Sequence, residues 1–446
     1  MEITQEVTGA DLGDQRLGAR LVSIAEALSL SPSRSLPKVF RTHGELEAAY
    51  RFLNNERVGP EGISVPHQLQ TCMRIVEAER VVIAHDTSEF TGASGVSFLC
   101  HAALAMTADG RRRPLGVIGH RTLVRGEKKP RVHPRQRRAD ASRESLRWWE
   151  QVAEVEETLG GKAQAIHVMD READIYELLA NMAMAEHHFV VRSRADRLLD
   201  DDEKLFARLD EAPCIAKRVV PLSPRKGSRL PRQRRVFPAR AGRTATLTCS
   251  AMQVVLRRPD GLPHDQPKTL TVNVVLVREI DPPDGEQSVC WRLLTSEPID
   301  TKEQVLAVID YYRCRWMIEE YFKALKTGCA VEKRQVESVG ALLNLMAVSM
   351  PIAWQLLILR FLSRDNGDAP GHDLLPPSQL RVLRLASKTL PASPTRRDVL
   401  MAVAALGGHI KNNGDPGWQV LARGYDDLLL LERGYALATR KNCDQS

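Results

Sequence analysis

Several familiar signatures are missing from this 446-residue chain, and each absence narrows the reading. Its eight cysteines are scattered, with no C-x-x-C pair. Zinc sites need clustered ligands, and disulfide frameworks belong to smaller secreted chains, so reduced and mostly buried thiols are expected. The polar, acidic N-terminus has no apolar signal-peptide core, which points to a cytoplasmic protein. No Walker, H-E-x-x-H or G-x-S-x-G motif occurs, and no internal repeat is found. Residues 341–359 are almost wholly apolar, but Asn344, Ser349, Pro351 and Gln355 interrupt the run. Hydrocarbon penalises such residues, so the expectation is a buried core helix and no membrane span.

What is present is globular. Hydrophobic residues make up 43% and charged residues 27%, and the length suits about three domains at roughly 150 residues each. The net charge of +7 favours a polyanionic partner, and its distribution is uneven. Arg111–Arg138 carries many Arg and Lys against one acid, Glu127, and Lys217–Arg243 carries no acid. Clusters of this kind suit phosphate binding along DNA, and solvated loops would look the same.

Periodicity divides the chain. Arg16–Leu30 and Gly44–Leu53 read as helices, separated by the Ser/Pro-rich Ser31–Pro37. Two short apolar strand runs follow. Arg80–Ala84 ends on His85-Asp86, and Ala163–Met169 ends on Asp170, with helix-like Arg171–Met184 after it. Strand ends of α/β sheets are where acidic site residues are expected. Between about 195 and 300, β-branched runs such as Thr244–Leu256 and Thr269–Val277 alternate with Pro/Gly/Asp clusters. A long helix is expected from Thr301, with a Thr301/Gln304 capping box, to Gly328.

That helix holds the most informative segment. At about 100° per residue, Tyr312, Arg315, Glu319 and Lys326 share a strip roughly 60° wide. An aromatic hydroxyl, a guanidinium, a carboxylate and an ammonium then stand in line. A solvated amphipathic face with i,i+4 pairs is the plain alternative. The chemical reading has Glu319 hold a metal ion while its neighbours hold phosphates.

The spacing Tyr-x2-Arg-x3-Glu-x6-Lys resembles that of the IS4-group cut-and-paste DDE transposases, and the sequence around it resembles the Tn5 (IS50) transposase branch. His85-Asp86-Thr87-Ser88 and Met169-Asp170-Arg171-Glu172-Ala173-Asp174-Ile175 are similar to the first and second acidic motifs of that family, in the same order. Ala49-Tyr50-Arg51-Phe52 resembles its N-terminal DNA-binding domain, and Leu406-Gly407-Gly408 with Gly417-Trp418 its C-terminal domain.

The resemblance implies an α/β fold: an RNase H-like core, a mixed sheet flanked by helices, with a β-rich insertion and helical terminal domains. The divisions are a DNA-binding domain at 1–65, a catalytic domain at 66–365 with its insertion at about 195–300, and a C-terminal domain at 366–446, implied in dimerisation. It implies Asp86, Asp170 and Glu319 as catalytic ligands of two Mg²⁺ ions, with Mn²⁺ as the substitute. Hard cations prefer such oxygen donors, and paired ions suit phosphodiester chemistry. Tyr312, Arg315, Lys326 and Arg192 are implied as phosphate contacts, and Trp291 as the platform for a flipped base. A core-filling Trp and a surface Arg are the plain readings of the last two. Asp174 and Glu320 fall off the spacing and are set aside, and His187-His188 is read as structural. The implied activity is cleavage and strand transfer at terminal inverted repeats, through a hairpin, by a DNA-bridged homodimer in the bacterial cytoplasm at the nucleoid. The competing functions are a transposase-derived DNA-binding protein that does not cut and an RNase H-like nuclease that does not join strands.

Overall fold

A computed structural model describes residues 2–124, 144–222, 224, 238–262, 265–286, 288–387, 389–410 and 414–443. In chain order, the elements begin with helices α1 (Gln15–Ser29), α2 (His43–Leu53) and α3 (Pro60–Ala78), then strands β1 (Arg80–Thr91), β2 (Ser97–Thr107) and β3 (Pro114–Leu123). Next come α4 (Arg147–Leu159), β4 (Gln164–Met169), α5 (Tyr176–Met184), β5 (His188–Arg192), β6 (Cys214–Leu222), β7 (Arg243–Arg257), β8 (Thr269–Ile280) and β9 (Cys290–Thr295). The chain closes with α6 (Lys302–Cys314), α7 (Trp316–Lys323), α8 (Val339–Asp365), α9 (Pro377–Ala386), α10 (Arg396–Leu406) and α11 (Trp418–Cys443). Two compact units form.

The first unit comprises Met1–Lys129, Glu154–Ala163 and Trp316–Ser446. Local signals start its helices. Asp14 caps α1 through the Arg16 amide, and Thr42 with Glu45 forms a complete capping box at α2. Leu21, Ile24, Ala25 and Leu28 recur at helical spacing and are the buried residues of α1. Strands β1, β2 and β3 make an antiparallel meander, with β1 paired to β2 from Val81↔Thr107 to Thr91↔Ser97. The β2–β3 ladder shifts register between Ala103/Leu104 and between Ala105/Met106. Close approach makes Gly116 necessary on β3: its φ is 143°, and a Cβ there would overlap the Thr71 side chain of α3.

Helix α8 is the apolar run read from the sequence. It passes through Pro351 as helix, and its most apolar 18-residue window is 89% buried. By length and composition it could cross a membrane, but here it packs against α3, α2 and β3 as a core helix. Each large aliphatic side chain fully buried this way contributes about 1.5–3 kcal/mol.

The second unit comprises Pro130–Ala153 and Gln164–Arg315. Strands β4 and β5 pair in parallel, Ile166↔His188 to Met169↔Val191. Strand β5 then pairs antiparallel with β9, and β9, β8, β7 and β6 continue antiparallel. The core gathers Trp148, Met169, Tyr176, Phe189, Val191 and Leu294, among others. Helix α6 opens with the expected capping box, Thr301 on the Gln304 amide and Gln304 back on the cap. It packs on this sheet, fastened by an Arg218–Asp310 ion pair of 2.8 Å.

Candidate functional site

In the first unit, Asp86 lies in the middle of β1 and not at the end of a strand. The apolar run stops at Ala84 because side-chain burial fades from Asp86 onward, while backbone pairing continues to Thr91↔Ser97. Pairing uses backbone groups and is indifferent to the polarity of the side chains. The Asp86 carboxylate is half-buried and accepts the Thr87 amide at 2.8 Å. Asp86, Ser88 and Phe90 alternate onto one face of the strand. Helix α7 lies on that face, with the Phe322 ring edge-on to Phe90 at 6.2 Å. Glu319 is three residues before Phe322 and so shares its side of the helix. Asp86 and Glu319 thus issue from a strand face and the helix side laid on it.

Lys326 follows in a π-helical turn, Ala324–Gly328. Its ammonium donates to the Glu89 carbonyl oxygen, stands 4.8 Å from the Phe90 ring centroid and lies 3.8 Å from Glu332. Glu332 also accepts the Thr91 amide at 3.0 Å. Lys326 is therefore moored to the far end of β1.

In the second unit, Asp170 follows β4 and caps the short 3-10 turn Arg171–Ala173, accepting the Glu172 amide at 2.8 Å. Arg192 ends the neighbouring β5 and donates to the Cys290 carbonyl at 3.1 Å, which ties it to the start of β9. Trp291 comes next on β9, its ring tilted against Tyr312 of α6 at 5.3 Å. Burial, and then the Arg192 charge, hold the Arg171 guanidinium below its ordinary pKa, while Tyr312, Cys290 and Asp170 oppose the shift. Asp170, Arg192, Trp291 and Tyr312 are thereby brought to one neighbourhood. Arg171 joins them, a cation the sequence reading passed over; its one signal was adjacency to Asp170.

The single helical strip drawn from the sequence is not continuous. The backbone turns at Arg315, whose amide bonds Tyr312 at i−3, and the π-turn at Ala324–Gly328 breaks the 100° step again. Tyr312 is only 6% exposed, because it packs against Trp291. Most of Arg111–Arg138 and Lys217–Arg243 lies outside the described residues. Where these stretches are described, Arg218 pairs with Asp310, Arg243 with Glu279 and Glu286, and Arg121 with Glu154.

The acids set aside have structural partners. Asp174 is completely buried and accepts the Arg194 and Ala195 amides at 2.6 and 2.7 Å and the Arg197 guanidinium at 2.5 Å. It binds the loop after β5 to the turn after Asp170. Glu320 accepts the Trp418 indole N–H at 3.0 Å. His188 bonds Glu297 at 2.7 Å, and His187 stacks near Trp149. Among the described residues, no three His, Cys, Asp or Glu side chains are grouped closely enough to hold a metal ion. Asp86 and Asp170 each have an oxygen engaged with a backbone amide. The donor chemistry of Asp86, Asp170 and Glu319, carboxylate oxygen throughout, fits a hard divalent cation.

Carboxylates at Asp86, Asp170 and Glu319, with Arg171 and Arg192 near Asp170, suit chemistry on phosphodiesters. Comparison with known proteins makes this specific. Residues 3–58 match the transposase DNA-binding family, and residues 147–349 match the transposase DDE domain. These two domains support a DNA transposase, an enzyme that cleaves and transfers DNA. Among solved structures, a piggyBac transposase synaptic complex with hairpin DNA matches at a TM-score of 0.38 and 12% identity, covering 90% of this chain and 77% of that one. A likeness that low carries no argument here.

Proposed function

We propose that the chain is a cut-and-paste transposase of the IS4 group, akin to the Tn5 branch, acting at the terminal inverted repeats of its own element. The carrying observation is that Asp86 and Glu319 issue from packed elements of one unit, while Asp170 stands beside Arg171, Arg192, Trp291 and Tyr312 in the other. The antiparallel meander β1–β3 and the parallel β4–β5 pair, with a β-rich segment before the helix bearing Glu319, support an RNase H-like core. On this reading residues 1–65 bind DNA, 66–365 catalyse and 366–446 serve dimerisation.

Asp86, Asp170 and Glu319 would hold two Mg²⁺ ions, or Mn²⁺ in their place. When bound, such ions neutralise phosphate charge and activate the attacking and leaving oxygens. The chain's own residues do the rest. Arg192, Arg315, Lys326 and Tyr312 hold the phosphates flanking the scissile bond and so orient it for in-line attack. The Trp291 ring, seated on Tyr312, receives an unstacked base, which it compensates by about 1–3 kcal/mol. That platform supports cleavage through a hairpin, followed by insertion of the 3′ ends into target DNA. A homodimer bridged by DNA, at the nucleoid of a bacterial cytoplasm, completes the reading.

The test uses the full chain, Mg²⁺ and labelled duplex taken from the DNA flanking its gene. The expected products are nicked ends, then hairpins, then strand-transfer products. Asp170→Ala, Asp86→Asn and Glu319→Gln should each abolish them while DNA affinity stays near wild type. Unchanged cleavage by Asp170→Ala would falsify the assignment. Hydrolysis without joining would favour a nuclease, and binding without cutting a DNA-binding derivative.

A further inference from the structure

Helix α7 carries Glu319 but is only eight residues long. It is set off by the turn at Arg315 on one side and the π-turn on the other. At neither junction does the regular i→i−4 ladder run on unbroken, so side-chain contacts add to the backbone in setting its rotation. One side is seated by Phe322 on Phe90, and by the Tyr321 hydroxyl donating to the Met350 carbonyl at 3.4 Å. These contacts locate the helix against β1 and α8. Neither contact involves the flank where Glu320 stands.

Glu320 closes that flank. Its carboxylate accepts the Trp418 indole N–H at 3.0 Å and pairs with Arg360 at 3.3 Å and Lys323 at 2.8 Å. The Arg360 guanidinium lies 4.5 Å from the Trp418 ring centroid, so the two partners also hold each other. Glu320 and Arg360 are largely buried, at 17% and 12% side-chain exposure, where ion pairs are screened least. The π-turn is pressed onto the same place: a Cβ on Gly328 would stand 3.1 Å from Leu356 and 3.8 Å from Trp418. Trp418 opens α11, the last helix, while Arg360 lies near the end of α8.

We propose that Glu320 is a positioning residue, and that the Trp418–Glu320–Arg360 clamp sets the rotation of α7 and hence the aim of the Glu319 carboxylate. Neighbouring helical residues are fixed about 100° apart, so holding Glu320 holds Glu319. The C-terminal helices then support the reaction centre directly, in addition to any part in assembly. This rests on the reading of Glu319 as an acid of the reaction.

The full chain is tested as wild type, Trp418→Phe, Glu320→Gln and Glu319→Gln. Trp418→Phe keeps an aromatic ring beside Arg360 and removes the N–H together with the five-membered ring of the indole, a loss of packing that the thermal midpoint registers. The readouts are anisotropy with labelled duplex from the DNA flanking the gene, cleavage rate against Mg²⁺ concentration at saturating duplex, and thermal midpoint. For Trp418→Phe and Glu320→Gln, the expected result is DNA affinity within about twofold of wild type and a cleavage rate lower by about 10–100-fold. The Mg²⁺ requirement should rise as well. A contact serving stability alone would lower the thermal midpoint and leave the Mg²⁺ curve in place, and that outcome overturns the clamp. Wild-type cleavage by Trp418→Phe and Glu320→Gln beside an inactive Glu319→Gln overturns the clamp but not the site. An active Glu319→Gln overturns both.

Discussion

Asp174 shows how far neighbouring acids of one motif can differ. It lies four residues beyond Asp170, yet it is sealed in the interior with three backbone or guanidinium donors, while Asp170 stays half-exposed. Removing one partner of a buried ion pair strands the other charge, so Asp174→Ala should cost about 3–5 kcal/mol. A urea midpoint would register that loss, and an unchanged midpoint would contradict it. Asp170→Ala removes one capping bond at a short exposed turn and should cost about 1 kcal/mol. Cleavage should vanish with Asp170→Ala at nearly full stability, a separation that Asp174→Ala cannot show. Motif spacing separated these acids in the sequence; in the structure they differ in burial and in bonded partners.

Among the elements, the capped helices and the β-branched strands were legible because their signals are local. Thr42/Glu45 and Thr301/Gln304 form capping boxes within four residues of chain. The extent of β1 was not legible, since its outer half is held by pairing with β2 and has a single buried apolar side chain, Phe90. The division of the long helix at Arg315 and Ala324 was equally hidden: Arg315 and Ala324 are good helix formers, and tertiary packing overrides propensity. Helix pair α10/α11 offers a test of packing at this scale. A Cβ on Gly424 would overlap the Val403 carbonyl, and one on Gly407 would overlap that of Val420. Gly424→Ala should therefore separate the pair, although alanine favours an isolated helix by about 1 kcal/mol. Limited proteolysis should show cleavage near 407–418 in this variant at protease levels that leave the wild type whole.

For the whole molecule, acid sensitivity follows from groups buried in the first unit. Burial pushes the His120 imidazole down to about 4, and the nearby His67 adds to the shift. Among the described residues, neither of its ring nitrogens has a hydrogen-bond partner. The folded chain keeps His120 neutral where the unfolded chain would take up a proton. Stability is thus complete above the unfolded value near 6.5 and falls as pH drops toward about 4, by on the order of 3 kcal/mol. Glu6 adds to this at lower pH. Although its burial acts the other way, hydrogen bonds from His67 and Arg74 hold it below the ordinary carboxylate value. Its contribution is present above the unfolded carboxylate pKa and is lost as pH falls through the lower folded one. Thermal midpoints from pH 7 to 4 should decline, and His120→Leu should flatten the slope between 6.5 and 4.

By itself the sequence determined where the three acids stand along the chain, their order, and the aromatic and basic residues that neighbour Glu319. These depend on residue type and short spacing, which survive any rearrangement of the chain at longer range. It also determined the starts of α1, α2 and α6, for the same reason. Only the tertiary structure decided that Asp86 sits mid-strand, that Arg171 joins Arg192 and Tyr312, and that Asp174 and Glu320 are braces. Each of those outcomes is set by partners far along the chain: Ala102 for Asp86, Arg197 for Asp174, Trp418 for Glu320. Such partners are chosen by which surfaces exclude water together, and no window of sequence contains that information.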